Sequence, residues 1–409
     1  MFFRQMAILL INLIVWAMSK WTKLIVPRGN SSGQQLVLRN TLVNGQCFNW
    51  YPLQEHDYIG VLDKYLIRIK QDIDNFDIHY RYHANEKASE NDTHNVEALL
   101  HDYFQFQDID LEDLYKVWSK DKYFASIGKY LPGLRILRQN TWECTISFLV
   151  SQNNNIKRIT QCLRKIRAKY GSKIGNATSV LDEGEEFEDF DTHEFYSFPT
   201  WAQLSKGTEA QFRELGLGYR ANYIEHSVKL IKSKGGEKWL NGLRINSESQ
   251  QNDDVKGSQQ DEETKDDPPK SPLTMETLEE IRESLIELKG VGKKVADWIA
   301  LFSMNCHNSI PVDTHVHQIA NRVYGKSSKE KVSMNDKIYS NVVSIFNKNF
   351  GDHCGWAHSV LFAAELPAYK KIIDEQKGDV TPKKRKHSDV SQIEENEIQQ
   401  KTNKRRKVK

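Results

Sequence analysis

Apolar side chains in this chain change their spacing once, and that change restricts the fold more than any other feature. Near the N-terminus the period is two. Phe76, Ile78, Tyr80 and Tyr82 alternate with Asp77, His79 and Arg81, and Ile67 and Ile69 alternate with Arg68 and Lys70. Alternation of this kind suits strands with one apolar face, so an antiparallel sheet with one wet face is expected. From about residue 125 the period becomes helical. Trp142, Ile146, Leu149 and Val150 form one stripe, with Asn140 and Glu143 placed as an N-terminal cap. Further stripes run through Ile156, Ile159, Leu163, Ile166 and Tyr170, through Leu278, Ile281 and Leu285, through Val295, Trp298, Ile299 and Phe302, and through Val316, Ile319, Ala320 and Val323. The fold class is α+β: an antiparallel β domain over residues 30–124, then a helical region over residues 125–375.

Charge is segregated along the 409 residues although the net charge is only +2. Residues 182–194 carry eight acids and no Lys or Arg, and residues 246–270 carry eight acids against three bases. Residues 182–194 and 246–272 are read as disordered acidic insertions. Residues 376–409 form a disordered tail, with ten bases against four acids over 382–409. What remains is basic, which suits a polyanionic partner; a solvated surface with no partner explains the same charge. The clusters Lys383-Lys384-Arg385-Lys386 and Lys404-Arg405-Arg406-Lys407 resemble nuclear-import signals, so nuclear residence is expected, with the mitochondrion as a second destination. Residues 1–17 form an apolar extension. The run Ala7–Met18, broken by Asn12, is shorter than the ~18–20 residues that span a bilayer, so no membrane partner is expected. A start of translation at Met18, a targeting segment and a membrane anchor all remain open for it. Five dispersed cysteines (Cys47, Cys144, Cys162, Cys306 and Cys354), none in a CxxC, exclude a disulfide scaffold and a cysteine-only metal or iron–sulfur site.

The chemically informative stretch is Leu285–Gly325. Two amphipathic helices are joined by Leu288-Lys289-Gly290-Val291-Gly292-Lys293. Gly290 and Gly292 permit a tight turn and close backbone approach, and the N–H groups opening the second helix suit a phosphate. This is a helix-hairpin-helix pattern, although an ordinary glycine-capped helical hairpin looks the same. Lys294 lies in the first turn of the second helix, where the dipole opposes a cation and favours the neutral, nucleophilic amine. A surface lysine is the plainer reading. Trp298 shares its face, lining a pocket or filling core. Asp313 precedes an apolar stripe as a helix N-cap, and a carboxylate fixed that way can also face a developing cation.

These residues, with Pro311, resemble the helix-hairpin-helix–GPD superfamily of DNA base-excision glycosylases. Within it the chain is most similar to the eukaryotic 8-oxoguanine DNA glycosylase/AP lyase family, over roughly residues 35–370. Further motifs carry the resemblance in order: Asn44-Gly45-Gln46-Cys47-Phe48-Asn49-Trp50, Gln152-Asn153-Asn154-Asn155 continuing to Thr160, Leu215-Gly216-Leu217-Gly218-Tyr219-Arg220, and Gly355-Trp356-Ala357 through Phe362. The resemblance implies an enzyme acting on double-stranded DNA with oxidised guanine, as a monomer. It implies that Lys294 attacks the anomeric carbon, expels the base and leaves an imine, that Asp313 stabilises the sugar cation, and that β-elimination then nicks the strand. Asn153, Arg158 and Arg220 would contact the orphaned cytosine, Tyr219 would wedge into the stack, and Phe362 would stack on the flipped base. The carbonyl of Gly45 would read the base's N7 hydrogen, which guanine lacks. Trp298, His315 and His358 would complete the base pocket, and Gly290 and Gly292 would grip the backbone.

Three positions depart from the family pattern: Trp298 stands where Cys is common, His358 where Gln is usual, and Glu365 where Asp is usual near His315. They bear on lesion range more than on catalysis. The iron–sulfur branch of the superfamily is excluded, since only Cys354 lies in the last hundred residues. Lys294 argues against the alkylbase branch. The alternatives are a non-catalytic DNA-binding module and a glycosylase with a shifted lesion range. No redox cofactor is expected; the resemblance allows a structural monovalent cation at the hairpin.

Overall fold

The computed structural model describes residues 21–27, 34–84, 92–182, 184–185, 194–245, 275–325 and 335–378. The apolar extension at 1–17, most of the acidic insertion at 182–194, the insertion at 246–272 and the tail beyond 378 lie outside the described residues.

Five strands form one antiparallel sheet: β1 (Thr22–Leu24), β2 (Trp50–Gln54), β3 (Asp57–Leu62), β4 (Tyr65–Gln71) and β5 (Ile78–Ala84), in the order β1-β5-β4-β3-β2. Ile67 pairs with Tyr82 and Ile69 with Tyr80, so the alternation read in the sequence puts all four on one face. That face buries Tyr65, Ile67, Ile69, Ile78, Tyr80 and Tyr82 against Leu38 and Leu42 of α1 (Leu38–Leu42) and Val96, Leu100 and Tyr103 of α2 (Asp92–Tyr103). Helices α3 (Leu111–Trp118) and α4 (Lys122–Gly128) follow, so helical structure already occupies residues 92–128.

The expectation of a wet second face is corrected. Ile59, Val61 and Leu66 on that face are covered by Ile174, Val180 and Phe195, from and beside a hairpin of β6 (Lys173–Asn176) and β7 (Glu194–Tyr196). This small sheet sits inside the region read as all-helical. Arg68 and Arg81, paired across β4 and β5, are buried rather than solvated. Their charges are met by carboxylates: Arg68 donates to Asp57 at 2.6 Å and to Glu185, and Arg81 donates to Asp182 at 2.6 Å. The ring of Trp21 lies over both guanidinium groups. A buried guanidinium is costly without a carboxylate partner. Asp182 and Glu185 are therefore held in place, which corrects the reading of the whole 182–194 insertion as disordered.

The connection from sheet to helices is stitched by fully buried Arg135. Its guanidinium donates to the carbonyls of Phe104 (2.6 Å), Gln105 (2.7 Å) and Ile109 (2.7 Å). The helical region then runs through α5 (Thr141–Ser151), α6 (Ile156–Tyr170), α7 (Trp201–Leu204), α8 (Glu209–Glu214), α9 (Arg220–Ser233), α10 (Glu237–Gly242), α11 (Met275–Ile286), α12 (Lys293–Ser303), α13 (Thr314–Val323), α14 (Asp336–Phe350) and α15 (Cys354–Ala363). Helix α5 is buried on nearly every side and is the hub against which α6, α9 and α12 pack. Asn140 caps it as expected, accepting from the Glu143 N–H at 3.0 Å. The Glu143 carboxylate turns to Arg167 of α6 and ties the two helices together. Beyond Leu366 the chain forms a second unit, whose described part is α16 (Pro367–Gly378).

Candidate active site

The hairpin joins α11 to α12 through Leu288–Gly292. The Val291 N–H donates to the Leu288 carbonyl at 2.9 Å. Gly290 has φ +87°, and a Cβ there would lie 2.5 Å from the Tyr223 ring, so only glycine fits. Gly292 differs: its backbone is extended and a Cβ would meet nothing within 4 Å. It opens α12 with no side-chain cap, leaving the first N–H groups of that helix for an incoming anion.

Lys294, on the first turn of α12, donates from Nζ to Oδ2 of Asp313 at 3.2 Å. The other oxygen of Asp313 accepts from the N–H groups of His315 and Val316, both at 2.9 Å, capping α13. The capping and charge-facing readings of Asp313 thus describe one side chain with two oxygens. Burial pushes its carboxyl up, but the Lys294 ammonium and the capping N–H outweigh it and hold the group below the usual carboxylate range. The Lys294 side chain is 46% exposed and that of Asp313 only 13%, so the amine is the reachable member of the pair. His315 lies exposed at the start of α13. Glu365 accepts from Arg322 at 2.6 Å.

One helical turn beyond Lys294, Trp298 heads an aromatic cluster. Its indole stacks on Phe302 (4.9 Å between centroids) and Phe148 (6.0 Å), with Phe362 edge-on at 5.7 Å. His358 is fully buried between Trp298, Phe346 and Phe362. Burial pulls its pKa down to about 4, so the ring is neutral, and neither nitrogen has a well-formed hydrogen bond among the described residues. The loop of Gly45 reaches this cluster through Phe48, whose ring meets Phe148 at 6.1 Å. Gln46 pins the loop, donating to the carbonyls of Thr41 (2.8 Å) and Arg135 (2.9 Å). Gly45 itself has φ +89° and sits against Ile156. A planar base sandwiched between two rings needs them about 7 Å apart. Trp298 and Phe362 are closer than that, so one of them must turn before a base can lie between them.

The remaining residues gather on a second edge. Asn153 has φ +46° in the turn between α5 and α6, and Asn155 caps α6 through the Arg158 N–H at 2.9 Å. Arg158 donates to the Gly216 carbonyl at 3.3 Å. Tyr219 is 43% exposed, with its ring against Tyr223, the residue that also packs on Gly290. Arg220 is buried, and its donors go to the carbonyls of Gln152 (2.8 Å) and Asn153 (2.8 Å). It therefore builds the asparagine turn rather than standing free in front of it. Sequence reasoning missed Phe148 and Tyr223. Phe148 has only its place in an apolar helix to mark it, and Tyr223 is marked by its i,i+4 spacing from Tyr219. No group of three or more His, Cys, Asp or Glu able to hold a metal ion occurs among the described residues.

Residues 30–145 match the 8-oxoguanine DNA glycosylase N-terminal domain, and residues 146–343 match the HhH-GPD superfamily base excision DNA repair protein. Fold and site thus share one class, the helix-hairpin-helix base-excision proteins. The chain is 33% identical over 342 residues to the N-glycosylase/DNA lyase OGG1 of Arabidopsis thaliana, spanning 83% of this chain and 80% of that protein. It is 31% identical over 361 residues to an N-glycosylase/DNA lyase of Saccharomyces cerevisiae, spanning 81% and 84%. A similar fold occurs in the 8-oxoguanine glycosylase/lyase of Clostridium acetobutylicum in complex with double-stranded DNA containing cytosine opposite 8-oxoguanine. There the TM-score is 0.59 at 24% identity, covering 85% of this chain and 97% of that one. The chain belongs to the eukaryotic 8-oxoguanine N-glycosylase/DNA lyase family.

Proposed function

We propose that this protein excises 8-oxoguanine from opposite cytosine through an imine on Lys294, then nicks the abasic strand by β-elimination. It is a bifunctional base-excision repair enzyme, an N-glycosylase and a DNA lyase. The observation that carries the mechanism is the Lys294–Asp313 pair at 3.2 Å, with Lys294 on the first turn of the helix that follows the hairpin. Lys294 Nζ, after losing a proton, forms a bond to C1′ as the glycosidic bond breaks and the base leaves with its electron pair and a proton. Asp313, held ionised, faces the positive charge that develops on the sugar. Loss of the ring oxygen bond gives the imine. Removal of a C2′ proton then expels the 3′ phosphate, and water releases the enzyme.

Duplex DNA is the partner this geometry supports. Exposed Tyr219 is the wedge, and Asn153 and Arg158 line the edge beside it. Arg220 acts by shaping the Gln152–Asn153 turn. The base pocket is the cluster of Trp298, His358 and Phe362 with the Gly45 loop. Residues 288–293 contain no carboxylate, so a monovalent cation at the hairpin would rest on main-chain carbonyls alone, a donor set without the charge a divalent ion favours. We also read the chain as a monomer, from the family resemblance, and as resident in the nucleus, from the two basic clusters of its tail.

The test is borohydride trapping on a duplex with one 8-oxoguanine opposite cytosine. A covalent protein–DNA adduct is expected for the wild type and none for Lys294→Ala, with DNA affinity retained. An adduct in both would make another amine, such as Lys293, the nucleophile. No adduct in the wild type would overturn the imine mechanism for this lesion.

A further inference from the structure

Behind the Lys294–Asp313 pair lies a buried polar strut that the reaction does not use directly. Asp297 is on α12, one turn after Lys294, and is wholly buried. One carboxylate oxygen accepts from Arg282 Nε at 2.9 Å, and the other accepts from the hydroxyl of Tyr339 on α14. The same hydroxyl accepts from the N–H of Val312 at 3.3 Å, with the Ile310 carbonyl 3.2 Å away. Val312 immediately precedes Asp313. Ser309, at the head of the same segment, donates to the main-chain carbonyl of Asp297 at 3.1 Å. The segment Ser309–Val312 that carries Asp313 is thus fastened twice to the residue that sits three positions after Lys294.

We infer that Tyr339 is a positioning residue for catalysis: its hydroxyl, held by Asp297 and accepting from Val312, sets the reach between Lys294 and Asp313. The inference rests on the assignment of Lys294 and Asp313 as the reacting pair. Three features of the network support it. Asp297 and Lys294 share a rigid helix, so fixing one fixes the root of the other. Apart from the Lys294 contact itself, Asp313 Oδ1 is spent on capping its own helix α13, which does not tie it to α12. A buried carboxylate bridging Arg282 and a tyrosine is costly to assemble, and the hydroxyl links that carboxylate on the Lys294 helix to the N–H of Val312, directly beside Asp313. A shift of the order of 1 Å between reacting groups is enough to cost ~100-fold in rate.

The experiment is a double-mutant cycle on single-turnover excision of 8-oxoguanine, using Tyr339→Phe, Asp313→Asn and the pair. Asparagine still caps a helix, so Asp313→Asn keeps α13 in place. Tyr339→Phe is expected to slow excision on the order of 10- to 100-fold. Its affinity for a duplex with a tetrahydrofuran abasic analogue should stay within about twofold of wild type, and the loss should largely vanish in the Asp313→Asn background. Ser309→Ala, which loosens the same segment without touching Asp297's charge, is expected to give a smaller loss with the same non-additivity. It carries the test if Tyr339→Phe fails to fold. An unchanged rate in both folded variants, a loss that adds fully to that of Asp313→Asn, or a fall in affinity matching the fall in rate would each overturn the proposal. Full activity of Asp313→Asn alone would instead remove the assignment on which it rests, and shows in that single variant.

Discussion

Asp313 and His358 show how one turn of backbone or one layer of side chains decides what a titratable group can do. Asp313 spends one oxygen on its helix cap and keeps the other for Lys294, so its charge is secured twice over. His358 has the opposite surroundings. Aromatic rings bury it, and its pKa falls to about 4 from an ordinary 6.5. Folded protein therefore binds fewer protons at this ring than unfolded protein between those values. Its contribution is favourable above pH 6.5 and is lost progressively as pH falls towards 4. His307, half-buried and accepting from Trp356 Nε1 at 2.9 Å, is pulled by desolvation to a pKa of about 3 and acts in the same sense. In His358→Gln the stability difference between pH 7 and pH 4.5 should shrink, by at most about 1.4 kcal/mol per pH unit. Urea unfolding at the two pH values measures this. An unchanged difference would mean that the imidazole is solvated or charged in the folded enzyme.

At the scale of elements, the hairpin uses its two glycines for different purposes. Gly290 needs a left-handed backbone and has Tyr223 where a side chain would go. Gly292 needs neither, and its open face is the one the helix N-terminus presents. Gly290→Ala is expected to lower the melting temperature by several degrees and, by displacing Tyr223 and the neighbouring Tyr219, to weaken DNA binding as well. Gly292→Ala should leave the melting temperature within about a degree of wild type, because such surface changes cost under ~0.5 kcal/mol. It should still weaken duplex binding by putting a methyl group in the phosphate's path. Melting curves and fluorescence-anisotropy titrations on both variants separate the two roles. Equal losses of stability would contradict the distinction. The aromatic cluster is a second case. Trp298 extends the stack of Phe148 and Phe302 towards Phe362, so helices α5, α12 and α15 meet over a filled slot.

Across the whole molecule, the sheet and the acidic insertion are joined by charge rather than by sequence neighbourhood. Glu185 reaches Arg68, 117 residues away, and its pKa falls to about 2, first because Arg68 donates to it. Its folded value lies below its ordinary 4.5, so the contact stabilises the fold fully above pH 4.5 and is lost as pH falls towards 2. Glu185→Gln is expected to lower the melting temperature by a few degrees at pH 7 and by much less near pH 2.5. Scanning calorimetry at both pH values tests this. An equal shift at both would show that the glutamate acts through packing and not through charge.

Much of this protein can be read in order along its chain because the determining interactions are short-ranged. The change of period distinguishes the five-stranded sheet from the helices that follow, although the helices begin at Asp92 and the β6–β7 pair lies among them. Asn140, Asn155 and Asp313 cap the helices they precede, since an N-cap needs only the next two or three N–H groups. Gly290 is legible as a turn residue for the same reason. What the chain does not reveal locally is which distant groups share a desolvated space. Arg68 and Arg81 carry the pattern of a wet strand face, and only the carboxylates of Asp57, Asp182 and Glu185 make their burial tolerable. Arg220 looks like a free basic contact until the Gln152 and Asn153 carbonyls claim its donors. Lys294 and Asp313 lie 19 residues apart and meet because α12 and the Ser309–Val312 segment converge on Asp297 and Tyr339. Sequence determined the elements and the chemistry each one carries. Tertiary structure decided which charges are buried together, because desolvation makes a lone charge costly and a matched pair stable, and only the packed chain brings the match about.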